Sequence, residues 1–189
     1  DNLSVINDRY FAILREELGK GVYELLLVRM ENFRSFISSA PGISKEEARD
    51  RADRLLAFVH SHPYFKALTD REATVTIDGH SANIVFVDDA PVFMDVYFPM
   101  PSFRIVDRAL PIAKVTACVR VFTGNEFAES MYAIYAERYQ LPERSILDFY
   151  EAYNAYIMGY YFIHLARPEL VKPYFDFADA KSAALKASS

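Results

Sequence analysis

Residues 74–107 read TVTIDGHSANIVFVDDAPVFMDVYFPMPSFRIVD. Thr74–Ile77, Asn83–Val87 and Val92–Asp95 are short runs rich in β-branched and aromatic residues, and Asp88-Asp89-Ala90-Pro91 is turn chemistry. The stretch therefore predicts a strand followed by a β-hairpin. Pro99 and Pro101 force a loop after it. Asp78, Asn83 and Asp95 fall at the margins of these strands. Two carboxylates and an amide so spaced offer hard oxygen donors for a metal ion beside a phosphate, and a carboxylate to orient a hydroxyl. The same residues also suit ordinary turns and strand ends, because Asp near Gly is common turn chemistry.

Working outward, Ser44–His60 is the clearest helix. Ser44 and Glu47 form a capping box, Ile43 can act as the staple, and Ala48, Ala52, Leu55, Leu56 and Val59 recur on one side. His62-Pro63 ends it, and His60 and His62 suit that helix end as caps. Further upstream, Val22–Met30 (VYELLLVRM) is apolar almost throughout and predicts a strand buried on both faces. Downstream, Arg104–Phe122 has helical spacing, with Pro111 starting or kinking it. Glu126–Tyr139 predicts a helix capped by Asn125. Ser145–Arg167 predicts a long one, with Ser145 and Asp148 in a capping arrangement and Pro168 as its stop. The class expected is α+β, mainly helical.

The totals set outer bounds. A chain of 189 residues suits one domain or two small lobes. A net charge of −5 argues against nucleic acid, which needs a basic face to displace counterions. One cysteine, Cys118, excludes an internal disulfide and fits a reducing compartment. With no signal-peptide pattern, the location expected is cytoplasmic. No apolar run reaches the roughly 18 residues of a spanning helix. The start at Asp1 suits a processed product or a fragment.

Asp78-x-His80-x-x-Asn83, Asp95 and Arg104-x-x-Asp107 together resemble the catalytic segment of aminoglycoside phosphotransferase-type kinases. That pattern has His-Gly-Asp-Leu-His-x-x-Asn, a hairpin, Phe-Asp and then Arg-x-x-Asp. VYELLLVRM resembles the strand that hinges the two kinase lobes, and DFYEAYNAYIMGYYF a late helix of the family. The resemblance covers roughly residues 22–165. It implies that Asp78 accepts or orients the proton of an attacking hydroxyl, and that Asn83 and Asp95 coordinate Mg²⁺ bridging the phosphates of ATP. His80, Arg104 and Asp107 support the loop. It also implies a remnant of the N-terminal lobe with the hinge strand at 1–42, and a kinase-like C-terminal lobe at 43–189.

The chain departs from the family pattern. Thr76 and Ile77 stand for the His-Gly of the loop, and Phe98 for an acid. Asn154, Met158 and Tyr160 stand where basic side chains are usual, and no Gly-rich loop or nucleotide-binding lysine strand precedes residue 22. These departures favour a degenerate kinase-like domain with a reduced or missing N-terminal lobe, acting as an interaction or structural subunit. The alternative is the C-terminal lobe of an active, ATP- and Mg²⁺-dependent phosphotransferase. The degenerate reading expects a protein partner or homodimer through the Tyr-rich helix Asp148–Arg167, whose aromatics run around much of its circumference.

Overall fold

The computed structural model describes residues 16, 19–69, 73–75, 84–93 and 105–185. Among the described residues the first helix with given bounds, α1 (Val22–Ser38), replaces the expected hinge strand. The physical reason is the periodicity. Val22, Leu25, Leu26, Arg29, Met30, Phe33 and Ile37 are buried at steps of three and four, which is one helical stripe. Leu, Met, Glu and Arg are also better helix formers than strand formers. Glu24 starts the helix by accepting from the Gly21 N–H at 2.6 Å.

Helix α2 (Lys45–Ser61) begins as expected, with the Ser44 hydroxyl accepting from the Glu47 N–H at 3.0 Å. Its last residues run into the single turn α3 (Pro63–Lys66), where the His62 ring accepts from the Tyr64 N–H. His62 Nε2 also lies 2.6 Å from a Glu143 carboxylate oxygen. Strand β1 is Ala73–Val75. Strands β2 (Ile84–Val87) and β3 (Ala90–Phe93) form the hairpin around Asp88 and Asp89, both at positive φ. That φ pattern is the one a two-residue hairpin turn requires. Residues 105–107, expected to open a helix, are instead strand β4 (Ile105–Asp107), antiparallel to β1.

Four helices follow: α4 (Ala109–Thr123), α5 (Asn125–Ala136), α6 (Arg144–His164) and α7 (Pro168–Ala184). Pro111 sits in the first turn of α4, where its missing N–H costs nothing. Two expected caps are otherwise employed. Gly124 precedes α5, and the Asn125 amide oxygen accepts from Arg120 Nη1 at 2.9 Å. Glu143 precedes α6, and Asp148 pairs with Arg144 and Lys181. Among the described residues the class is α+β, mostly helical, with two two-stranded antiparallel sheets.

The core is built around α6. Tyr150, Tyr153, Tyr156 and Tyr160 are all buried within this chain, against aromatic rings from α1, α3 and α7, while Phe149 beside them packs on Phe58 of α2. The expected docking face on this helix is therefore spent internally. Aromatics surround the helix because neighbouring elements surround it. Its exposed large apolar side chain, Tyr161, lies near the C-terminal end, beside the exposed Leu165 that follows the helix.

Candidate functional site

Of the residues singled out for chemistry, Asp78, His80, Asn83, Asp95 and Arg104 lie outside the described residues. The register of their neighbours is described. In the β1–β4 pair, Val75 faces Ile105, so residue 76 leaves and residue 104 arrives at one end. In the hairpin, Ile84 faces Phe93, so residue 83 arrives and residue 94 leaves at one end.

Asp107 is described, and it is the centre of a buried network. It is the last residue of β4 and only 3% exposed. Its Oδ1 accepts from the Ala109 N–H at 2.9 Å, which ties the strand to the start of α4. The same oxygen accepts from the Tyr64 hydroxyl at 3.2 Å, and Oδ2 accepts from the Tyr150 hydroxyl at 2.7 Å. Burial pushes the Asp107 carboxyl above its ordinary value, against the opposing pull of these donors and of Arg29. Burial, and then the Asp107 charge, push the Tyr150 hydroxyl well above the usual tyrosine range, so it stays a donor.

Arg29 completes the assembly from α1. Its side chain is buried in an otherwise apolar stripe, and Nη2 donates to the Ile105 carbonyl at 3.0 Å, across 76 residues of sequence. The guanidinium compensates charge at Asp107 while gripping the strand backbone. Beside the network lies a cleft of about 500 Å³ that Tyr64, Asp107, Arg108, Tyr135 and Gln140 help to line. Among the described residues, no group of three or more His, Cys, Asp and Glu side chains is arranged to hold a metal.

Two further polar clusters bind helices to one another. Arg51 holds Asp179 with two bonds, at 3.2 and 2.9 Å, and donates to the Tyr160 hydroxyl at 3.1 Å. Arg120 Nε and the Tyr132 hydroxyl both donate to Glu151 Oε1, at 2.8 and 2.9 Å. Lys181 Nζ lies 2.8 Å from Glu151 Oε2 but outside hydrogen-bond geometry, so that contact is charge pairing alone. Cys118 is buried, and burial raises its thiol pKa, which suits an inert core residue.

Sequence reasoning found Asp107 but missed Arg29, Tyr64 and Tyr150 as its partners. One signal was available: a lone arginine inside the α1 apolar stripe requires a buried counterpart. Compared with family models, with curated proteins and with solved structures, the chain matches none.

Proposed function

We propose that this chain is the catalytic-loop lobe of a kinase-like phosphotransferase, of the aminoglycoside phosphotransferase type, acting on a hydroxyl of a small molecule. Asp78 orients that hydroxyl, Asn83 and Asp95 hold the metal, and His80, Arg104 and Asp107 support the loop. The donor set fits Mg²⁺, since an amide and a carboxylate oxygen are hard ligands. Bound Mg²⁺ with ATP supplies charge neutralisation on the phosphates.

The observation that supports the reading is Asp107, the last residue of the Arg-x-x-Asp motif, which is buried and accepts from the Ala109 N–H and the Tyr150 hydroxyl, as a loop-supporting residue would. Two of the departures also lose weight. Asn154 and Tyr160 are core residues, the first donating to the Tyr150 carbonyl and the second accepting from Arg51. Neutral side chains there follow from burial and say nothing about a cleft.

The test is thermal unfolding with and without Mg²⁺–ATP. Binding to the folded chain raises the midpoint by a few degrees. Asp95→Ala should abolish the rise. No rise in the unaltered chain, or one that survives the substitution, would overturn the reading. A second reading keeps the fold without the chemistry: a noncatalytic interaction subunit. It is favoured by the hairpin, where Val85, Phe86, Val87 and Val92 are exposed, Phe86 by 72%.

A further inference from the structure

We infer that α5 is a charge-latched strap, hinged at Gly124, that walls the cleft beside Asp107 and opens as a unit. Side chains from four helices form a closed ring of alternating charge. It runs from Arg120 of α4 to Glu129 of α5, Arg144 and Asp148 of α6, Lys181 of α7 and Glu151 of α6, and so back to Arg120. Helix α5 enters the ring through one residue, Glu129, which lies between the two arginines. Without it the remaining charges still form an unbroken chain. Arg120 keeps Glu151, Arg144 keeps Asp148, and Lys181 keeps both acids. The fully buried Glu151 thus gives up only the Tyr132 hydroxyl when α5 leaves, and stays paired. Apolar packing holds α5 lightly. Its buried residues are Ala128 and Tyr132, while Phe127 and Ile134 on its outside are exposed. A helix with so thin an apolar stripe belongs to the low end of local stability. Gly124 joins it to α4 at φ 82°, and a Cβ there would meet nothing within 4 Å, so the joint has room to turn. At the other end of α5, Tyr135 lines the cleft, as do Gln140, Leu141 and Pro142 just beyond it. The Tyr135 hydroxyl donates to the Arg108 carbonyl at 3.3 Å, a long neutral bond across that side. Opening α5 therefore widens the cleft, whatever the cleft binds. What holds it shut is charge on Glu129 and Arg144, both about half exposed, which salt screens.

The test is amide hydrogen exchange of the full chain, followed by mass spectrometry, at low and raised salt. Amides of residues 125–136 should exchange together, and faster than those of α4 and α6. Glu129→Gln keeps the shape and removes the charge. It should speed the α5 amides about fivefold, the worth of two partly exposed ion pairs, and leave α4, α6 and α7 unmoved. Raising salt from about 20 to about 500 mM should speed the same amides in the unaltered chain and add little in the variant. Glu169→Gln, at the exposed pair with Arg167, is the control and should change neither. Widening of the cleft is read separately with Ala109→Cys, at a buried position that lines it. Labelling there by a thiol reagent should rise in step with α5 exchange, while the buried Cys118 stays slow. Exchange of α5 at the rate of α4 and α6, or an equal rise in every helix of Glu129→Gln, would overturn the latch. Faster α5 exchange with unchanged labelling would overturn its place as a wall of the cleft. Should Ala109→Cys fail to fold, Leu141→Cys, also lining the cleft, takes its place.

Discussion

Asp107 and Asp179 are built from the same parts and held in opposite ways. Asp107 accepts from two tyrosine hydroxyls and Asp179 from one, and each lies near a buried arginine. At Asp179 the arginine bonds the carboxylate directly, twice, and the Asp179 side chain is 43% exposed. Burial pushes that carboxyl up, but the bonds from Arg51 and Tyr156 outweigh it and hold the carboxyl below its ordinary value. At Asp107 burial wins, and Arg29, whose Nη2 donates to the Ile105 carbonyl, acts on the carboxyl through its charge. The first arrangement is a half-wet clasp between α2 and α7. The second is a desolvated carboxyl at a strand end, bonded to a backbone N–H and two tyrosine hydroxyls.

The largest expected effect separates the two. Asp107→Ala takes the acceptor from the buried Tyr150 hydroxyl and from the Ala109 N–H, at a cost of roughly 3–5 kcal/mol. Asp179→Ala leaves Arg51 with Glu47, 2.9 Å away, and with solvent access nearby, so roughly 1.5–3 kcal/mol is lost. Urea unfolding of both variants measures the gap. Equal costs would mean that the two aspartates do the same work.

Next in size is Gly159→Ala. A Cβ there would stand 2.4 and 2.6 Å from two carbons of the Phe175 ring, so the ring or the helix must move. Overpacking of this kind costs about 1–3 kcal/mol. The ring is also the surface beneath the Arg51 guanidinium, 4.3 Å from its centroid, so the strain should reach the Asp179 clasp and spare Asp107. Pairing the change with Phe175→Leu should recover part of the loss in a double-mutant cycle. Simple additivity would place the strain elsewhere.

Smaller effects distinguish the two carboxyls by sign. Asp179 has a lowered folded pKa, so its stabilisation is present above the unfolded value near 3.8 and is lost as pH falls toward the folded one. Asp107 has a raised folded pKa, so its contribution is best below 3.8 and is lost as pH rises through the folded value. Stability measured against pH for Asp179→Asn and Asp107→Asn should therefore diverge from the parent in opposite directions on the acid side. Parallel curves would show that the two sites titrate alike.

The helices α2 and α6 were legible because capping residues and apolar spacing are local. The hairpin was legible from its turn. Val22–Met30 misled because a continuous apolar run satisfies both a buried strand and a helix stripe, and only Arg29 at a buried step marks the difference. The Asp107 network was not legible beyond Asp107 itself, since its bonds span 43 and 76 residues. The Tyr-rich helix was read as an interface because sequence reports how apolar a helix surface is, and not whose side chains cover it.

The smallest effect tests how separate the hairpin is. Its exposed valines and Phe86 stand outside the main cluster of buried side chains, and Asp88 and Asp89 occupy left-handed backbone at φ 50° and 60°. Asn-Gly is better suited to that turn. Replacing both aspartates, Asp88→Asn with Asp89→Gly, should gain no more than about 1 kcal/mol, because each L-residue at such φ carries a cost of roughly that order. The gain should show as slower amide exchange across β2 and β3, with the global unfolding midpoint unmoved. A two-stranded hairpin is marginally stable by itself and opens locally, so local protection can rise without the core noticing. A midpoint that rises in step with local protection would show the opposite: the hairpin folds as part of the helical core, and its apolar surface is then better explained by packing within the chain than by a missing cover.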